Sequence, residues 1–223
     1  MSRCRLDGES LHASCIAPGP FANVAAMTSA PLHVLAVSGS LGQHSATRSL
    51  VKLIAARLQT DGASVDVLDL LDEPLPIFNP DTSYRSPDYA QWKARVERAD
   101  VLLLGTPDYH GGMSSALKNF LDHFWPEYAG KLFATVVGSY DKGLTVTDQI
   151  RTVARQCYAW SLPYAVAFAD KADMKDGQII SESFQQRIDM LVRDVRVYGE
   201  ILARQRRADL AGTDPGFLAK LRK

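Results

Sequence analysis

From residue 31 onward the chain alternates between two hydrophobic patterns. LHVLAVS (32–38) is an unbroken apolar run closed by turn residues, as a buried strand requires. Residues 46–59 place Leu50, Leu53, Ile54 and Leu58 on one helical face, and Asp61 with Gly62 ends that face. SVDVLDL (64–70) alternates as a strand, and residues 72–87, with four prolines, read as a loop. Helical spacing returns over 87–99, 113–125, 145–160 and 181–207. Between these stretches VLLLGT (101–106), KLFATVVGS (131–139) and LPYAVAF (162–168) read as strands.

The order is strand then helix, five times. Strands that are apolar on both faces and alternate with helices predict a parallel sheet covered on both sides. Five such units predict an α/β three-layer sandwich of flavodoxin-like order 2-1-3-4-5, with right-handed crossovers. Ligands of such sheets sit where the strand order reverses, beyond the carboxyl ends of strands 1 and 3. That rule selects two loops, 38–47 and 106–113, before any motif is considered.

The first loop and its flank read SGSLGQHSATR (38–48). A helix start offers unpaired N–H groups and about half a positive charge. Gly39 and Gly42 let the backbone turn amides toward a ligand, and Ser40, Ser45 and Thr47 add hydroxyl donors. The loop suits a phosphate monoester, with His44 and Arg48 as candidate charges. Ser45 as a plain helix cap is the competing reading. The loop is neither a Walker A motif nor a G-x-G-x-x-G fingerprint. The second loop opens GTPDYHGGMSSALKNFLDHFW (105–125). Pro107 stiffens it, Gly111 and Gly112 permit close approach, and Tyr109 offers a flat surface. A phosphate cradle facing an amide-rich aromatic platform is what a mononucleotide such as FMN needs.

TPDYHGGMSSALKNFLDHF resembles the T-P-E-Y-x-G-S-x-x-x-x-L-K-N-x-x-D signature of the NADPH-dependent FMN reductase family. VSGSLGQHSATRSL resembles that family's phosphate loop, G-S-x-R-x-x-S-x-N, and LPIFNPD (75–81) its loop after strand 2. The resemblance runs from residue 32 to about 170 and implies a flavodoxin-like fold, bound FMN, and NADPH or NADH as co-substrate. It also implies a small-molecule electron acceptor such as a flavin, quinone, azo compound or metal oxyanion, and a homodimer or homotetramer. By position, Ser38, Ser40, His44, Ser45, Ala46, Thr47 and Arg48 would serve the phosphate. Pro107, Asp108, Tyr109, His110 and Gly111 would line the flavin ring, with Ser139 and Tyr140 from the loop after the fourth strand. Thr47 stands where the family has Asn, Gly42 where it often has Arg, and Asp108 where it has Glu. The usual glycine-rich loop is here SYDKGLT (139–145), where Lys142 is either a ligand contact or a solvated side chain. Lys118, Asn119 and Asp122 match the motif inside a helix and are expected as scaffold or subunit contacts. No side chain is expected as a catalytic acid or base, because the flavin carries the chemistry.

Composition narrows the alternatives. Lysine plus arginine and aspartate plus glutamate are 25 each, so neither a nucleic-acid partner nor an acidic membrane surface is expected. A flavodoxin-type carrier would tend to be strongly acidic, and this chain is neutral. No apolar stretch approaches the ~20 residues of a membrane span. The three cysteines, Cys4, Cys15 and Cys157, suit neither a disulfide framework nor a zinc site, so a reducing, cytoplasmic setting is expected and no metal. Cys157 reads as a core residue, and His123 as structural or at a subunit contact. Phe120, Phe124, Trp125 and Tyr128 suit either a subunit contact or packing within one subunit. Residues 1–30 read as a disordered N-terminal extension, 31–210 as the FMN-binding domain and 211–223 as a charged, solvated tail.

Overall fold

Alternation of apolar residues along each strand decides the layers. Ala36 and Leu103 face one side of the sheet, while Val37, Leu102 and Leu104 face the other, and all five are fully buried. The computed structural model describes residues 30–222. The extension expected over 1–30, with Cys4 and Cys15, lies outside them except for Ala30.

Five parallel positions make the sheet. β1 (His33–Ser38) pairs with β2 (Ser64–Asp69) on one side and with β3 (Val101–Tyr109) on the other. β4 (Gly112–Met113) folds back antiparallel on the end of β3. β5 (Leu132–Gly138) lies beside β3, and β6 (Trp160–Ser161) and β7 (Val166–Phe168) pair with β5. The expected order is therefore present, with the fifth position split in two. Pro163 lies in the gap, where a proline has no N–H to give the ladder. α1 (Ala46–Thr60) and α5 (Glu182–Ala211) cover one face through Leu50, Ile54 and Leu58 against Phe184, Ile188 and Leu191. α2 (Tyr89–Arg98), α3 (Ser115–Asp122) and α4 (Leu144–Gln156) cover the other through Trp92, Val96, Leu117, Phe120 and Ile150.

Three elements depart from the pattern. α3 begins at Ser115 rather than at 113, because Met113 belongs to β4 and Ser114 caps the helix. α4 ends at Gln156, because Tyr158 turns left-handed at φ 57° and Trp160 enters the sheet through the Lys131 carbonyl at 2.8 Å. A hairpin of β8 (Met174–Lys175) and β9 (Gln178–Ile179) stands where no element is expected. Its Asp-Gly turn was the available signal: Asp176 and Gly177 have φ of 49° and 77°, as a type I′ turn requires. Phe120, Phe124 and Tyr128 are buried in the core, and so are His123 and Cys157, whereas Trp125 is exposed. Leu218, in the stretch expected as a solvated tail, is buried as well. Among the described residues no helix is long and apolar enough to cross a membrane.

Two features position the loops. At the switch point the Gly39 N–H donates to the Gly105 carbonyl at 2.8 Å. A Cβ on Gly105 would fall 2.2 Å from Val51 Cγ2, and one on Gly39 would fall 2.7 Å from Leu117 Cβ. Ser114 joins the two strand ends: its hydroxyl donates to the Gly39 carbonyl at 2.6 Å and its N–H to Thr106 Oγ1 at 2.9 Å. Behind the first loop, Arg48 Nε donates to Asp69 Oδ2 at 2.9 Å, and Lys52 Nζ lies 3.0 Å from the same oxygen. Burial opposes ionisation of Asp69, but hydrogen bonds from Arg48 and Lys52 outweigh it and hold the carboxyl below its ordinary pKa.

Gly105→Ala is expected to destabilise the fold by about 1–3 kcal/mol in urea unfolding, the usual cost of overpacking. Adding Val51→Ala should recover part of that loss, and strict additivity of the two would count against the contact. Asp69→Asn is expected to cost about 1.5–3 kcal/mol at neutral pH. A carboxyl lowered in the folded state stabilises above its unfolded pKa of about 3.9, and that stabilisation fades as pH falls through the folded value. The gap between the two proteins should therefore be full above about pH 5 and narrow in more acid solution. A gap of constant size would show that Asp69 acts only through its shape.

Candidate functional site

A crevice of about 430 Å³ opens at the switch point. It lies within the roughly 300–1,000 Å³ of small-molecule sites. The first loop forms its floor. Ser40 and Thr47 are each only 3% exposed yet line it, beside Gly42, His44, Ser45 and Ala46. Ser45 caps α1, its Oγ accepting the Arg48 N–H at 3.4 Å. The first-turn N–H groups of Ala46 and Thr47 have no intrahelical acceptor and share the positive end of the helix dipole. Ser45 is thus both the cap and a lining residue, which makes the two sequence readings compatible.

The facing wall is the end of β3. Pro107, Asp108 and Tyr109 line the crevice, and the chain then turns through His110 and Gly111 at φ of 56° and 76° into β4. Asp108 is the organising side chain. Its Oδ1 accepts the Gly111 N–H at 2.8 Å, and its Oδ2 accepts the Ser139 hydroxyl at 2.9 Å. One carboxylate thereby joins the β3 loop to the loop after β5. Gly138, Ser139 and Tyr140 complete that side, with Phe168 and Asp170 beyond. A Cβ on Gly138 would come within 2.8 Å of Thr47 Oγ1 and 3.2 Å of the Phe168 ring, so only glycine keeps the crevice open there.

The structure gathers ten of the fourteen sequence-predicted residues at this cavity: Ser40, His44, Ser45, Ala46, Thr47, Pro107, Asp108, Tyr109, Ser139 and Tyr140. Four stand off it. Ser38 is fully buried beneath the loop, and its hydroxyl has no partner among the described residues. Arg48 faces Asp69 and Asp72, and its guanidinium also donates to the Gln43 carbonyl at 3.3 Å. It braces the loop from behind rather than charging the floor. His110 and Gly111 form the turn at the rim. Lys118 pairs with Asp122 on the surface of α3, and Asn119 holds the 75–78 loop by accepting the Phe78 N–H at 2.7 Å and donating to the Pro76 carbonyl at 2.9 Å. Both are scaffold contacts.

Gln149, Phe168 and Asp170 escaped the sequence reading. Gln149 on α4 clamps the β3–β4 hairpin, accepting the Met113 N–H and donating to the Gly111 carbonyl, both at 3.1 Å. It lies one turn into a helix, where nothing local distinguishes it from a solvated glutamine. No group of three or more His, Cys, Asp or Glu among the described residues is placed to hold a metal ion.

The chain is 27% identical over 174 residues to an FMN-dependent NADPH-azoreductase of Staphylococcus haemolyticus, covering 73% of this chain and 91% of that one. It is 28% identical over 171 residues to an NADPH azoreductase of a Bacillus species, covering 75% and 92%. The flavoenzyme NAD(P)H:(acceptor) oxidoreductase FerB of Paracoccus denitrificans superposes with a TM-score of 0.60 over 74% of this chain and 97% of that one, at 20% identity, a likeness of fold. Residues 32–173 match the NADPH-dependent FMN reductase family, and since that is more than half of the sequence the chain belongs to it.

Proposed function

We propose that the crevice holds FMN and that the protein uses NAD(P)H to reduce a small-molecule acceptor by way of it. The observation that supports this reading is the division of one cavity into a floor of hydroxyls and helix-start amides and a wall of strand-end backbone flanked by tyrosines. The floor fits a phosphate dianion. Ser40, Ser45 and Thr47 donate hydroxyls, and the start of α1 supplies amides and dipole. No arginine lines this cavity, and His44 is the imidazole among its lining residues. The wall fits a flat ring, which would lie along Pro107–Tyr109 with Ser139 and Tyr140 opposite.

When bound, FMN supplies reversible hydride and electron transfer, chemistry no side chain of the crevice has to provide. The protein's part is to hold and orient. Asp108 keeps the two ring-bearing loops at a fixed separation, and Gln149 keeps the hairpin from opening. Tyr109 and Tyr140 are 59% and 86% exposed, so the rim between them is open to a second molecule. NAD(P)H and the acceptor would use that face in turn, a ping-pong order. The azoreductase names of the relatives favour an azo compound as acceptor, with quinones, free flavin and metal oxyanions as further members of the same electron-accepting class. Assembly into a homodimer or homotetramer belongs to this reading, with the exposed Trp125 after α3 as a contact residue.

Purified protein is expected to be yellow, or to take up FMN at micromolar concentration, and to bleach anaerobically on addition of NADPH. A protein that takes up no FMN under these conditions refutes the proposal. Thr47→Val keeps the packing and removes one hydroxyl, and should weaken FMN binding roughly tenfold or more, as loss of a hydrogen bond to a charged group does. Unchanged affinity would show that Thr47 does not touch the phosphate. Asp108→Ala frees both loops, and flavin release followed by fluorescence should accelerate several-fold while the melting temperature moves little.

A further inference from the structure

Beyond α5 the chain turns back on the molecule. Gly212 closes the helix, and Arg222 returns to its last turn, donating from Nε to the Asp209 carbonyl at 2.9 Å and from its guanidinium to the Asp214 carbonyl. Between them Leu218 is 1% exposed. It rests beside Gly130, where an added Cβ would fall 3.1 Å from Leu218 Cδ1 and 3.2 Å from Arg206 Cγ. Arg206 is itself fixed, donating to the Ala129 carbonyl at 2.9 Å. Phe217 stacks on Tyr158 with ring centroids 6.3 Å apart and meets Trp160 edge-on at 6.4 Å. Leu218 belongs to neither of the two cores that flank the sheet, so these contacts form an apolar patch of their own. All of the returning segment lies past residue 173, where the match to the reductase family ends.

The patch borders a sheet edge. β6 comes last in the strand order and is paired on the β5 side alone among the described residues. Trp160 and Leu162 give their N–H groups to the Lys131 and Phe133 carbonyls, at 2.8 and 3.1 Å, so Ser161 between them turns its own N–H outward. An edge strand offers such groups to any other chain, and proteins blunt the hazard with lysine, with proline or with a covering segment. Residues 158–162 read YAWSL and hold no charge. Pro163 ends the strand but leaves Trp160 and Ser161 exposed. This end of the sheet is opposite the crevice: Trp160 pairs with Leu132 at the start of β5, whereas the crevice opens at Gly138 at its end.

We infer that residues 213–222 are a strap over a self-association surface, and that the partner they keep off is a second copy of this chain docking through β6. The partner is a second copy because the exposed feature is main chain. Two β6 edges related by a two-fold axis can pair antiparallel and satisfy each other's outward groups. Tyr158 and Trp160, 60% and 51% exposed even beside the strap, would add apolar contact to that pairing. Phe217 would stand in its way, because it sits on both rings. The inference is independent of the flavin reading.

The test uses the full chain. Phe217→Ser/Leu218→Ser releases the strap, and Thr213→Ala, at an exposed position, is the control. Trypsin cutting after Lys220 reports whether the strap is free, and light scattering over a range of protein concentrations reports the mass. Wild type and control should resist cutting and keep one mass throughout. The double variant should be cut roughly tenfold faster or more, since cleavage follows the open population. Its mass should rise with concentration to about twice the wild-type value, as two-fold pairing requires. Adding Ser161→Pro removes the outward N–H and should restore the wild-type mass while the strap stays free. Faster cutting with an unchanged mass overturns the inference, and so does a rise in mass that survives Ser161→Pro. Equal cutting of wild type and double variant shows that these residues hold no strap and overturns it too. Should the double variant lose its circular dichroism signal, Arg222→Ala, which removes the two carbonyl contacts and no apolar one, is read in its place by the same two measurements.

Discussion

The constraint on which the site depends is the contact of two glycine backbones where the strand order reverses. Gly39, just past the end of β1, stands beside Gly105 in the middle of β3, joined to it by a hydrogen bond of 2.8 Å. From that point the chain leaves β1 toward one face of the sheet and β3 toward the other. α1 presses on Gly105 through Val51, and α3 presses on Gly39 through Leu117. A side chain at either glycine would displace one of these helices, and with it one wall of the crevice. The ligand site is therefore a consequence of close packing in the core beneath it.

The floor proposed to hold the phosphate presents hydroxyls and helix-start amides beside His44. The Arg48 guanidinium faces Asp69 at the end of β2 and also holds the Gln43 carbonyl of its own loop. Charge is thus used to fix the shape of the loop, and hydroxyls with the helix dipole are left to meet the ligand. The same economy governs the opposite wall, where both oxygens of Asp108 are occupied by protein groups. A shorter carboxylate than the family's usual glutamate reaches Ser139 and Gly111 and ties the two loops together. Arg48 and Asp108 thus spend their charge on contacts within the scaffold.

The β8–β9 hairpin changes the outline of the site more than any substitution within the loops. With the turn before it, it brings Asp170, Lys171, Lys175 and Asp176 to the start of α1, where they line a second cavity that shares His44, Ala46 and Asp170 with the first. Asp173 makes this possible by holding Ala169 and approaching Arg187, so that Lys171 keeps its left-handed backbone.

The sequence by itself determined the layers, the strand order and the two loops that face each other, because apolar periodicity reports which faces are buried and the reversal point follows from topology. It also showed Ser40, Ser45, Thr47, Pro107, Asp108 and Tyr109 as a set, since they lie in short stretches whose residue types make sense only together. Tertiary structure decided the rest. Arg48 and Asp69 are 21 positions apart, and only the fold turns that arginine away from the crevice. Gln149, Phe168 and Asp170 reach the site from three separate elements, with nothing in their neighbours to mark them. The hairpin strands are two residues each, too short for any periodicity to register. Local pattern carries information over one turn of helix or one strand, whereas side-chain direction is settled by partners that are distant in the chain.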